Sequence, residues 1–133
     1  MENALWNGSI IMASDIAEIY ELEKGIRKAS GDKELKCPDS DCQNPILRYC
    51  HGKKKCAYFS HLSNCRCDYA EFNKGNTDLM RSIKRTLLDN FRKRGYQVQS
   101  EIKLLPHHYT HLVFKMESNK KIAVELGDRK SVV

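Results

Sequence analysis

The chain has 133 residues, of which 41% are hydrophobic and 30% charged, with a formal net charge of +6. That length holds one ordinary domain, or a small metal-stapled module beside a partial second one, and the composition excludes a disordered chain. No apolar run approaches bilayer thickness, and the first residues lack the basic-then-apolar layout of a signal peptide. The expected setting is therefore the cytoplasm, away from any membrane. The charge is uneven: residues 1–36 carry seven acids and five bases, residues 37–133 ten acids and eighteen bases. A basic second part suits a polyanion, with a solvated lysine-rich surface as the plain alternative.

In chain order, Ala4-Leu5-Trp6, Asn7-Gly8 and Ser9–Met12 read as a hairpin, because Asn-Gly accommodates the positive φ of a tight turn. Ser14 or Asp15 is the expected cap of one helix carrying Ile16, Ile19, Tyr20 and Ile26 and broken at Ser30-Gly31-Asp32. Trp6 and Tyr20 are expected in the core.

All six cysteines follow, between Cys37 and Cys67, with His51 and His61 among them. Alternating residues around a Gly-Lys-Lys turn predict a hairpin, with candidate ligands at its base. Thiols clustered in a reducing compartment favour a metal over disulfides. Cys37 and Cys42 have a ligand-pair spacing, and His61, Cys65 and Cys67 lie just past the hairpin. The expected zinc ligands are Cys37, Cys42, His61 and Cys67, with Cys65 as a substitute for Cys67. A set of Cys37, Cys42, Cys65 and Cys67 stays open. Cys50 and Cys56 are expected as small buried residues. With no catalytic vacancy in any of these sets, the zinc is expected to be structural.

Asp68–Gly75 reads as a polar connector. Leu79, Ile83, Leu87 and Phe91 then recur at steps of four, predicting a helix capped by Asn76 or Thr77 and ended by Gly95. Its other face carries Arg81, Lys84 and Arg85, which with Lys53, Lys54 and Lys55 of the hairpin turn are the candidate nucleic-acid contacts. Three strands are predicted: 96–105, Leu112–Met116 and Lys121–Leu126, the last two joined at Ser118–Lys120. Residues 128–133 match an in-frame translation of a sequencing adapter, so they are expected to be a scar and the natural chain to continue beyond Gly127.

A cysteine pair, a Gly-centred hairpin ending in Tyr58-Phe59-Ser60-His61, a helix with Ile83-Lys84 and a strand with Glu101 resemble the competence protein CoiA-like family. In that family the hairpin typically ends His-Phe-Ala-His. The resemblance implies an α+β fold: a zinc-ribbon-like module over residues 1–70, then an incomplete helix-strand-strand-strand core of the PD-(D/E)XK nuclease type over 71–127. It also implies a DNA partner and, for an active enzyme, magnesium held by two carboxylates. Glu125 fits the Glu of the family's Glu-x-Lys. The Asp position holds His111 and the Lys position Gly127, so two of three positions depart from the pattern. The resemblance thus leaves Glu125, Glu101 and His111 as an altered catalytic or metal set, against a surface strand end that carries His107, His108 and His111 without a role. A zinc-stabilised protein-interaction module is the competing function.

Overall fold

The computed structural model describes residues 1–53, 56–74, 77–116 and 118–126. The expectations that fall on Lys54, Lys55, Asn76, Gly127 and the 128–133 tail lie outside the described residues. The protein is mixed α and β, and it divides into two compact units, Met1–Gly75 and Asn76–Val133.

The first unit opens with β1 (Asn3–Trp6) and β2 (Ser9–Met12), antiparallel from Asn3↔Met12 to Trp6↔Ser9. Asn7 and Gly8 turn between them with φ of 52° and 78°, the left-handed conformations that this dipeptide tolerates best. The single expected helix is two: α1 (Ala13–Ala17) and α2 (Tyr20–Gly31). Neither Ser14 nor Asp15 caps α1, because a carboxylate from the neighbouring hairpin does so. Glu2 Oε1 accepts from the Ser14 amide at 3.1 Å and from the Ser14 hydroxyl. Ile16 and Ile26 are buried, but Tyr20 is 74% exposed and Ile19 55%, since the chain turns between the helices and swings both outward. Tyr20 is therefore not a core residue. Trp6 is half-buried, with its indole 3.4 Å from Glu34.

After α2 the chain pairs through Lys36 with β1 on one side and with Ile46 on the other, then enters β3 (Leu47–Cys50). β4 (Tyr58–His61) returns antiparallel, from Leu47↔His61 to Cys50↔Tyr58. Leu35, Leu47, Phe59, Ile16 and Ile26 form the core. The expected polar connector contains a short helix, α3 (Asp68–Asn73), whose Tyr69 is fully buried. Its hydroxyl accepts the Asn3 amide at 2.9 Å, which locks α3 to the first strand. Of the two remaining cysteines, Cys50 is half-buried and Cys56 exposed, so neither is the buried packing residue that the sequence suggested.

The second unit begins with α4 (Asp78–Lys93), capped by the Thr77 hydroxyl, which accepts the Met80 amide at 3.1 Å. Gly95, at φ 86°, ends it in the left-handed position. β5 (Gln97–Leu105), β6 (His108–Lys115) and β7 (Lys121–Val124) form one antiparallel sheet in that order. A two-residue turn of Pro106 and His107 (φ 60°) joins β5 to β6, so His108 and His111 lie inside a strand rather than before it. Leu112, Val113 and Phe114 of the central strand are buried, and Phe91 of α4 stacks on Phe114 with centroids 4.3 Å apart. The buried stripe of α4 is not the predicted one. Leu79 is 69% exposed and Ile83 43%, whereas Lys84 and Leu88 are buried. The helix is rotated by about one residue because Lys84, counted as solvent-facing, has a buried partner.

Candidate metal centre and the polar cluster of the second unit

Two turns and a strand end build the first site. Cys37 and Cys42 flank a knuckle that Asp39 organises from inside. Its backbone carbonyl accepts the Cys42 amide at 3.1 Å, and its buried carboxylate accepts the amides of Asp41 at 3.0 Å and Tyr69 at 3.3 Å. The Cys37 amide donates to the Pro45 carbonyl at 2.7 Å, closing the loop onto the start of the hairpin. His61 is the last residue of β4. Cys67 is the N-cap of α3, and its Sγ accepts the Ala70 amide at 3.4 Å.

The ligand atoms of Cys37, Cys42, His61 and Cys67 lie within 4.8 Å of one another, the one such group of three or more among the described residues. Zinc at its usual distances to sulfur and imidazole nitrogen gives tetrahedral edges of about 3.8 Å between two sulfurs and about 3.5 Å between sulfur and nitrogen. The observed separations are 3.8 Å for Cys37–Cys67, 3.4 Å for Cys42–His61 and 3.7 Å for Cys67–His61. These three edges match those of a zinc tetrahedron, and the quartet as a whole could hold a metal ion. Cys65 is not part of this group: its sulfur sits 3.1 Å from that of Cys42, closer than two ligands of one zinc stand.

The electrostatics also ask for a cation. Desolvation raises the Cys37 thiol far above its usual range and, aided by the neighbouring thiols, pushes Cys42 up to about 12. Desolvation keeps His61 below its ordinary value, in the neutral form that can coordinate. Packed thiolates are costly without a positive charge among them, and a divalent ion supplies it. The donor set of three sulfurs and one imidazole, closed and tetrahedral, fits zinc.

In the second unit, Glu101 and Lys84 form a buried ion pair with Nζ and Oε1 3.1 Å apart and side chains 1% and 5% exposed. Glu101 holds φ at 53° inside β5, between the Ser100↔Leu112 and Ile102↔Thr110 pairs and hence across from His111. Its backbone is in a region that non-glycine residues rarely occupy. The half-buried His111 accepts the Leu126 amide on Nδ1 at 3.2 Å, so Nδ1 carries no proton. Desolvation and then the Lys84 ammonium hold His111 below its usual pKa. Glu125 is exposed and lies 2.7 Å from His108 Nε2.

The structure therefore places Glu101, His111 and Glu125 in one region of the sheet without converging their ligand atoms. Among the described residues they form no group that could hold a metal. Glu101 is committed to Lys84 and Glu125 to His108, so these side chains do not fit a magnesium site. Comparison with family models, with curated proteins and with solved structures finds no match. The two centres stand on their own chemistry.

Of the expected nucleic-acid contacts among the described residues, only Lys84 is placed away from the surface. Lys84 is buried and cannot reach a ligand, Arg81 pairs with Asp78, and Arg85 lies 3.3 Å from Asp89. Lys53 remains exposed in the hairpin turn. Sequence reading missed a cleft of about 620 Å³ at the end of the second sheet, lined by Arg94, Tyr96, Gln97, Lys115 and Asn119 among others. It brings together two cations and an aromatic ring from the helix end and β6. Only the strand pairing Gln97↔Lys115 reveals that neighbourhood, and no local motif encodes it.

A pH prediction follows from His111. Its proton is bound more weakly in the folded state than in the unfolded chain, where the pKa is about 6.5. The stabilisation is therefore present above that value and lost as pH falls through it toward the depressed folded pKa. Protonating Nδ1 also removes the acceptor for the Leu126 amide. Denaturation midpoints of the second unit should fall between pH 7 and 5, and His111→Gln should flatten that dependence. An unchanged slope in the variant would assign the pH effect to other groups.

Proposed function

We propose that this protein is a zinc-stapled nucleic-acid-binding protein, DNA being the favoured partner, which binds without cleaving. Zinc held by Cys37, Cys42, His61 and Cys67 stabilises the first unit. In the second, the cleft at Arg94, Tyr96 and Lys115 supplies cations for phosphate and a ring on which a base can stack. The observation that carries the reading is the convergence of the three thiols and one imidazole at tetrahedral spacing. The DNA partner rests on the excess of bases after residue 36, on this cleft and on the resemblance to the CoiA-like group. The lack of cleavage rests on the pairing of Glu101 with Lys84 and the replacement of the family's Asp by His111. Exposed Ile19 and Tyr20 on the first unit favour the second reading, a zinc-stabilised protein-interaction module.

Fluorescence anisotropy with labelled duplex and single-stranded DNA at a series of salt concentrations separates the two. Counterion release predicts a steep fall of log affinity with log salt. Arg94→Glu combined with Lys115→Glu should weaken binding at least tenfold and make that slope shallower by about two. Incubation with magnesium or manganese should leave the DNA intact. Affinity indifferent to salt, or to the double substitution, would move the assignment to the interaction module. Cleavage lost in Glu125→Ala would show a nuclease.

A further inference from the structure

Among the six cysteines, Cys65 has a position that the metal centre leaves unexplained. It stands outside the quartet, is partly exposed, and places its sulfur 3.1 Å from that of Cys42, a zinc ligand in the reading above. Cys37 and Cys67, by contrast, are 3.8 Å apart, the separation of two sulfurs on one zinc. A thiol that near a ligand sulfur, and not itself coordinated, can reach a disulfide by a shift of about one ångström. Cys65 also follows Ser63 and Asn64, both exposed and outside any helix or strand, beyond the last bond of the hairpin, the Leu62 amide to the Ile46 carbonyl at 3.0 Å, so the shift falls on residues past that bond.

We propose that Cys65 and Cys42 form a redox modification site, in which a peroxide converts the pair into a disulfide and thereby releases the metal. This rests on the zinc reading of the Cys37, Cys42, His61 and Cys67 centre. The Cys65 sulfur attacks one peroxide oxygen, breaking the O–O bond and becoming a sulfenic acid. The other oxygen leaves with the thiol proton as water or an alcohol. The Cys42 sulfur then leaves zinc and attacks the Cys65 sulfur, forming the S–S bond. Hydroxide departs and takes a proton from solvent to become water. Two thiols lose two electrons in all, and the peroxide takes them up. Zinc is left with Cys37, His61 and Cys67, three ligands in place of four, and a site that has lost a thiolate binds it far more weakly. A dithiol reductant and fresh zinc restore the centre.

The test uses the full chain loaded with zinc. Metal content is measured first. The protein is then treated with a small excess of hydrogen peroxide while a chromogenic chelator follows zinc release, and the disulfides are mapped by mass spectrometry after alkylation of free thiols. One zinc per chain, a Cys42–Cys65 disulfide and release reversed by dithiol plus zinc are expected. Cys65→Ser and Cys65→Ala should still bind one zinc but release it at least tenfold more slowly, whereas Cys56→Ser should release it like the parent. No zinc before oxidation would overturn the metal reading and this site with it. One zinc, with release as fast in both Cys65 variants as in the parent, would overturn this site alone. So would a disulfide joining other cysteines. Loss of zinc in both Cys65 variants before any oxidant is added would make Cys65 a ligand and likewise overturn it.

Discussion

Replacing Cys37 or Cys42 with serine is expected to abolish zinc binding and to unfold the Met1–Gly75 unit. Structural zinc contributes about 10–16 kcal/mol of apparent binding free energy in small modules near neutral pH, comparable with the whole stability of an ordinary domain. The first unit has little with which to replace it. Its two-stranded pairs are four residues long, and only a handful of large side chains are fully buried. The knuckle at 37–42 and the N-terminus of α3 meet through the ligands and through the buried Asp39, whose carboxylate bonds Asp41 and Tyr69. Without the ion, burial keeps Cys37 and Cys42 as neutral thiols, which provide no attraction to hold the four residues together. Elemental analysis, and far-ultraviolet circular dichroism before and after a chelator, provide the readout. Cys50→Ser should keep both metal and structure, since Cys50 lies outside the quartet. A chelated protein with unchanged spectrum and melting temperature would remove zinc from the account of this fold.

What could be read from the sequence was local. Asn7-Gly8 needs left-handed backbone and has it, and Thr77 and Gly95 mark the ends of α4 by cap chemistry confined to a few residues. The ligand-type residues that converge are among those singled out by their spacing, because a hairpin brings its two flanks together whatever its side chains are. The features that were missed depend on partners distant in sequence. Ile16, Ile19 and Tyr20 continue a helical pattern across Glu18, so periodicity alone merges α1 and α2. The actual break lies at Ile19, whose extended backbone (φ -122°, ψ 107°) separates the two helices, and no local sequence signal marks it. Asp68–Asn73 looks polar, yet it forms a helix because a cysteine caps it and Tyr69 reaches the Asn3 amide. The stripe of α4 was misread because a lysine was assigned to water.

That lysine makes the second large prediction. Lys84→Met in the full chain should destabilise the second unit by about 3–5 kcal/mol, since it leaves the Glu101 carboxylate buried without its ammonium. Glu101→Leu should cost a similar amount by stranding the ammonium. The double variant, Lys84→Met with Glu101→Leu, should recover most of the loss, because neither buried charge is then left alone and the methionine and leucine fill similar volume. The pair is nearly inaccessible, at 5% and 1% exposure, so screening by salt should alter these values little. Glu101 holds its positive φ in the parent as in every variant that keeps a side chain there, so that strain cancels from the cycle. Urea denaturation of the four proteins at several salt concentrations closes the cycle. Single losses that simply add in the double variant would mean that the two groups are stabilised separately. The same variants decide what Lys84 does in function. A surface phosphate contact would lose DNA affinity in Lys84→Met with stability intact. A core ion pair loses stability first, and the refolded double variant should bind DNA as the parent does.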